Sequence, residues 1–202
     1  MLFRSVAGRI DEGAGSLASI PILHYRTYND PLGDIHDRVR DFEVRERLKR
    51  ANGNFDNQVL WVYPNGNRGL GAKVTGLAID TMAQWLDTKK KPAAAVDGCW
   101  DAEGTRYEEP AAMEGPGKCA QLFPAHRTPR LVAGAPLTDD VAKCQLKPVN
   151  ARDYQVALSE ADLHELHQIF PGGVCDYSKP SVGKGPLVGT YLKLPLSTSP
   201  RK

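Results

Sequence analysis

The stretch Ile20-Pro-Ile-Leu-His-Tyr-Arg-Thr-Tyr28-Asn-Asp30-Pro-Leu-Gly-Asp34-Ile-His36-Asp-Arg38 decides how the rest of the chain is read. It opens on a short apolar run, Ile20 to Leu23, and passes into a turn built from Asn29, Asp30, Pro31 and Gly33. Asp30, Asp34, His36 and Asp37 then crowd together, with Arg26 and Arg38 on either side. Open α/β sheets place ligands and chemistry at the carboxyl ends of their strands. A strand over residues 20–28 that runs straight into acids and a histidine therefore predicts such a sheet with a site at its end.

The next segments extend that reading. Residues 35–51 predict a helix whose apolar stripe is Ile35, Val39, Phe42 and Leu48, stopped by Asn52-Gly53. Its dense charges read as a solvated face, with Asp41/Arg45, Glu43/Arg47 and Glu46/Arg50 at the favourable i,i+4 spacing. Gln58-Val-Leu-Trp-Val-Tyr63 reads as a second buried strand, since parallel strands need not alternate. A helix over about residues 72–89 follows, with Val74, Leu77, Ala78, Met82, Trp85 and Leu86 as its apolar face. Strands joined by helical crossovers predict a parallel sheet with covering helices, an α/β fold class, over residues 1–92.

Past Pro92 the turn signals multiply: Asp97-Gly98, Glu103-Gly104, Pro110 and Gly115-Pro-Gly117. Residues 93–202 are expected to form a loop-rich extension packed on the core. A short helix is expected from Asp139 to about Leu146. Ser159-Glu-Ala-Asp162 is a capping box that opens a helix carrying Leu163, Leu166 and Phe170. Leu187 to Leu196 reads as a last extended segment.

The 202 residues carry a net charge of +2 and 25% charged side chains, so no global field favours nucleic acid or a membrane surface. No apolar run approaches the roughly 18 residues of a membrane span. Cys99, Cys119, Cys144 and Cys175 are widely spaced without a CxxC pair, which argues for two disulfides in an oxidising compartment rather than zinc. Of the three pairings, Cys99–Cys119 and Cys144–Cys175 are preferred because each closes a local loop. Met1-Leu-Phe-Arg-Ser-Val-Ala-Gly-Arg9 has no apolar signal core. Secretion or a periplasmic location is then reconciled with the sequence by taking Met1 as an internal position of a longer secreted protein.

An acid beside a histidine is the supporting half of a nucleophilic triad, in which the carboxylate orients the imidazole that takes a serine proton. Asp30 or Asp34 is the expected acid and His36 the expected base, with Arg26, Asp34 and Arg38 as binding residues. Asp34 also suits the N-cap of the next helix. The nucleophile elbow Gly-x-Ser-x-Gly is absent; Ser16 in Ala14-Gly-Ser-Leu-Ala18 lacks both flanking glycines. His164 and His167 stand i,i+3 without a third ligand, and Gly69-Leu-Gly-Ala-Lys73 lacks phosphate-loop spacing. No metal and no cofactor are expected. His24 reads as a core histidine, and His126 lies in a loop.

Several stretches carry a resemblance: Ile20-Pro-Ile-Leu23 with Asp34-Ile-His-Asp-Arg38, Ala51-Asn-Gly-Asn-Phe-Asp-Asn-Gln-Val59, Ala133-Gly-Ala-Pro136, Lys143-Cys-Gln-Leu-Lys-Pro148 and Ile169-Phe-Pro-Gly-Gly-Val-Cys-Asp176. From about residue 8 onward they resemble the C-terminal part of an uncharacterised bacterial family of large secreted α/β-hydrolase-like proteins. The resemblance implies an acid after the seventh strand of that fold, where Asp30 stands, and a histidine after the eighth. The turn Pro64-Asn-Gly-Asn-Arg-Gly69 after the second strand has none. Either His36 serves from the acid loop or His126 reaches back from the extension, or the scaffold is not catalytic.

Two functions follow as expectations. The first is the C-terminal part of a secreted hydrolase of ester or similar acyl bonds, with the nucleophile upstream, inactive without that missing N-terminal part. The second is a non-catalytic binding or structural protein in which the Asp/Arg cluster forms a ligand pocket.

Overall fold

A computed structural model describes residues 15–33, 35–154 and 156–182. Asp34, residues 1–14 and the expected strand at 187–196 lie outside the described residues. The chain divides into two compact units, one spanning Asp11–Pro129 and the other taking up the chain from Arg130.

The first unit is a mixed α/β structure. Strand β1 (Ile22–Tyr28), helix α1 (Val39–Asn52), strand β2 (Gln58–Pro64), helix α2 (Arg68–Thr88) and the short strands β3 (Gly98–Trp100) and β4 (Arg106–Glu108) follow in order. The sheet order is β1-β2-β3-β4. β1 runs parallel to β2 in register from Ile22 opposite Gln58 to Tyr28 opposite Pro64. β3 is also parallel to β2, and β4 returns antiparallel to β3. At Gly98 a Cβ would stand 2.4 Å from the Tyr107 carbonyl oxygen, so only glycine allows β4 to close on β3.

β2 is the centre of the core. Its residues Gln58 to Tyr63 are all buried, as an apolar run covered on both faces requires. Val59, Trp61 and Tyr63 pack with Leu70, Val74, Ala78 and Trp85 of α2 and with Ala95 and Trp100. Trp61 and Trp100 meet edge to face at 5.4 Å. Val62 packs with Cys99, Cys119 and Phe123. Helix α2 starts at Arg68, earlier than its apolar pattern predicts, because the Asn67 side chain accepts the Leu70 N–H at 3.0 Å and caps it. Its buried line is Leu70, Val74, Ala78, Thr81 and Trp85. Leu86, expected on that face, is 56% exposed.

Helix α1 begins at Val39, not at residue 35, and ends where Gly53 takes a left-handed φ of 78° and its N–H reaches the Lys49 carbonyl. Ile35 stands outside the helix and is exposed. The charge run of α1 is not a solvated face: Asp41, Glu43 and Arg45 are buried. Glu43 pairs with Arg40 one turn away at 2.7 Å, while Asp41 and Arg45 find partners outside the helix rather than at i,i+4. Arg45 makes two parallel bonds to Asp97 at 2.7 and 2.9 Å and a third to Gln58 at 3.0 Å. Asp97 also accepts the Leu60 and Ala111 amides at 2.8 and 3.0 Å. Arg26 bonds Asp41 Oδ1 at 2.5 Å, and His24 Nδ1 stands 2.7 Å from the same oxygen outside hydrogen-bond alignment.

In the second unit, β5 (Gln145–Lys147) pairs antiparallel with β6 (Val174–Asp176). The strand replaces the helix expected at 139–146: Asp139 has φ 42°, and Gln145 is already extended against Asp176. Helix α4 (Glu160–Ile169), counted after a short α3 at Lys118–Leu122, has the capping box at Ser159 and Asp162 that its sequence predicts. Both expected disulfides form, Cys99–Cys119 in the first unit and Cys144–Cys175 in the second.

Burial raises the pKa of Asp97, but the Arg45 bonds and charge and the two amides outweigh it, leaving the carboxyl below its ordinary value. A depressed folded-state pKa gives stability that is present above the unfolded pKa and is lost as pH falls through the folded one. Acid unfolding of wild type should therefore steepen below about pH 3.8. Asp97→Asn leaves Arg45 buried without its counter-charge and should cost about 3 kcal/mol, read by urea unfolding at pH 7. It should also flatten the acid limb. The Cys144–Cys175 bridge closes a separation of 31 residues, so its double alanine variant should lose about 3–4 kcal/mol from the second unit. Hydrogen exchange of the β5 and β6 amides measures that loss.

Candidate functional site at the carboxyl end of the first strand

The site is built by the turn that ends β1. Asp30–Leu32 forms one turn of 3-10 helix with Pro31 near its start, and Gly33 closes it with φ 66° and its N–H on the Asp30 carbonyl. That turn folds the Asp30 side chain inward, where it is 3% exposed. Oδ1 accepts the Arg38 N–H at 2.9 Å. Oδ2 accepts the His126 N–H at 3.2 Å. A buried carboxylate held by two main-chain donors cannot swing.

The segment that brings His126 is fixed residue by residue. The Arg38 guanidinium, buried beside the ring of Phe42, donates to the Phe123 carbonyl. The Tyr28 hydroxyl donates to the Pro124 carbonyl at 2.6 Å, and its ring meets Phe123 edge to face at 5.2 Å. The Ala125 N–H bonds the Met113 carbonyl at 3.1 Å. Burial pushes the Tyr28 phenol up, helped by the Asp30 charge. Burial pushes the Arg38 guanidinium down, and the charges of Asp30 and Asp41 oppose that shift.

The expected site residues separate into two groups. Asp30 and Arg38 stand together. Arg26 turns the other way, bonding Asp41 and the carbonyl oxygens of His36 and Asp37 at 2.8 and 2.9 Å. That holds the exposed turn carrying His36. Tyr28, Phe123 and Pro124 were not singled out in the sequence; nothing in their spacing marks residues 96 apart as partners. In the turn after β2, Asn65 donates to Asn29 at 2.8 Å and Asn67 caps α2, so both asparagines are spent on structure.

In the second unit, His164 bonds Gln168 and His167 bonds the Leu163 carbonyl. Among the described residues no three metal-ligating side chains cluster, and no helix is long and apolar enough to cross a membrane.

Asp30→Ala leaves the Arg38 and His126 amides without their acceptor. At about 1–3 kcal/mol per buried orphan, the variant should lose roughly 2–6 kcal/mol. Asp30→Asn, which keeps an acceptor oxygen, should lose less. Thermal and urea unfolding followed by circular dichroism decide this.

No curated protein and no solved structure matches this sequence. A family model does, over residues 4–186. By that match across nearly its whole length, the chain belongs to a tannase-like family of unknown function.

Proposed function

We propose that the carboxyl end of β1 is the acid-bearing part of an esterase site on an α/β-hydrolase scaffold. Asp30 orients a histidine base, and the serine nucleophile comes from sequence beyond these 202 residues, since no Gly-x-Ser-x-Gly elbow occurs within them. The observation that carries the reading is the buried Asp30 carboxylate held between the amides of Arg38 and His126. An acid fixed in this way at the end of a buried parallel strand can hold an imidazole in one orientation and stabilise its protonated form. Tannases are esterases, so the family relation supports the same reaction class.

The base is His126, whose own main chain is tied to the acid. In the first half-reaction it takes the serine proton as Oγ attacks the ester carbonyl carbon. It returns that proton to the departing alcohol as the tetrahedral intermediate collapses to the acyl-enzyme. Water, deprotonated by the same imidazole, then releases the acid. His36 is the second reading for the base, favoured by the two carbonyl bonds from Arg26 that hold its turn six residues beyond Asp30. The substrate is a small-molecule or polymeric ester. A secreted or periplasmic setting goes with this reading, supported by the two disulfides.

The test uses the protein expressed with its full upstream reading frame and assayed on p-nitrophenyl acetate, p-nitrophenyl butyrate and a phenolic methyl ester. His126→Ala should lower kcat about 10³-fold, and His36→Ala should stay within about threefold of wild type. The reverse pattern assigns the base to His36. A wild-type protein that turns over no ester in the panel removes the esterase reading and leaves a non-catalytic scaffold.

A further inference from the structure

We infer that Arg38 and Tyr28 are positioning residues for His126, acting through the main chain of residues 123–126. The inference rests on the proposed role of His126. Neither side chain touches a reacting atom in this scheme. Each holds a main-chain carbonyl just before the histidine, Arg38 that of Phe123 and Tyr28 that of Pro124.

The near end of the segment is anchored independently. Cys119 in α3 is bridged to Cys99 in β3. The Glu109 carboxylate accepts the Lys118 and Cys119 amides at 3.1 and 2.6 Å. At Gly117 a Cβ would lie 2.6 Å from a Glu109 oxygen, so the carboxylate closes over bare backbone. The Phe123 N–H continues the turn to the Cys119 carbonyl at 2.9 Å. From that anchor, Phe123, Pro124, Ala125 and His126 are each bonded through the main chain, leaving no slack between the bridge and Asp30.

Packing alone does not call for an arginine at position 38. A buried guanidinium is costly, and a long apolar side chain would fill the space with less penalty. What Arg38 adds is a donor to a carbonyl 85 residues away in sequence and a cation beside Asp30. Tyr28 is similar: phenylalanine would keep the ring contact with Phe123 and lose only the hydroxyl bond to Pro124. Catalytic geometry is sensitive to such support, since a displacement of about 1 Å costs up to roughly 10²-fold in rate.

The experiment compares Arg38→Met, Arg38→Lys and Tyr28→Phe with wild type in the full-length protein. It reads amide hydrogen exchange at residues 125 and 126, and kcat and KM on p-nitrophenyl acetate. Arg38→Met should speed exchange at both amides about tenfold while the β1 and β2 amides stay protected. It should lower kcat about 10–100-fold with KM within about threefold. Arg38→Lys should recover part of both losses, and Tyr28→Phe should shift both in the same direction by about threefold. If Arg38→Met does not fold, Tyr28→Phe decides. Unchanged exchange at both amides overturns the inference, whether or not the protein hydrolyses an ester. Faster exchange with unchanged kcat also overturns it, because the clamp would then serve the fold and not the histidine. Absence of wild-type turnover counts against the esterase reading itself, and exchange still judges the clamp.

Discussion

A carboxylate taken out of water must be met by donors, and at Asp30 this constraint shapes one end of the sheet. The two donors come from opposite directions along the chain. The Arg38 amide starts α1, and the His126 amide ends a segment that leaves β4 and passes through the Cys99–Cys119 bridge. One side chain thereby ties the strand, the helix that follows it and a segment 96 residues away. The Arg38 side chain extends the same knot, because its guanidinium is buried where the Asp30 charge offsets its desolvation and where the Phe123 carbonyl accepts its N–H.

A second set of buried charges joins α1 to the sheet. Arg45 reaches from α1 to Asp97 just before β3, and Asp97 takes the Leu60 amide of β2. Arg26 reaches from β1 to Asp41 in α1. Ion pairs of this kind add little net stability relative to apolar packing, yet they punish every alternative pairing by leaving a charge unmatched. Helix α1 has few apolar residues with which to fix its rotation. Val39, Phe42 and Leu48 set which side faces inward, and Asp41 and Arg45 set the register.

The strands and the helices joining them were legible because local pattern and tertiary role agree. Gln58–Tyr63 is apolar throughout because both its faces are covered, and Asn52-Gly53 stops α1 because glycine accepts the left-handed φ. The α1 charges were misread because helix periodicity counts Asp41 and Arg45 as polar, and polar reads as outward. Only partners far along the chain turn them inward, Arg26 for Asp41 and Asp97, 52 residues beyond, for Arg45. The helix expected at 139–146 failed for a related reason: Cys144 and Gln145 are held extended by Cys175 and Asp176, partners that no local window contains. Within the candidate site, Asp30 was legible from its place after an apolar run. His126, whose amide holds it, and Tyr28 and Phe123, which fix the segment before His126, meet only through the fold.

The turn after β2 sharpens what kind of site this end of the sheet can be. The family resemblance places a histidine there, and the chain has Asn65 and Asn67 instead. Both are committed, Asn65 to the β1 turn through Asn29 and Asn67 to the first amides of α2. An asparagine that caps a helix cannot be exchanged for a histidine without uncapping it, so this turn has become a structural joint. On the proposed esterase reading, a base would approach Asp30 from another element. Two described segments of the first unit have main chain already on the carboxylate, the one carrying His36 and Arg38 and the one ending at His126. The disulfide, the Glu109 cap and the Arg38 and Tyr28 bonds all converge on that segment. On the proposed reading, that immobilisation serves a loop whose side chain must stay where it is put.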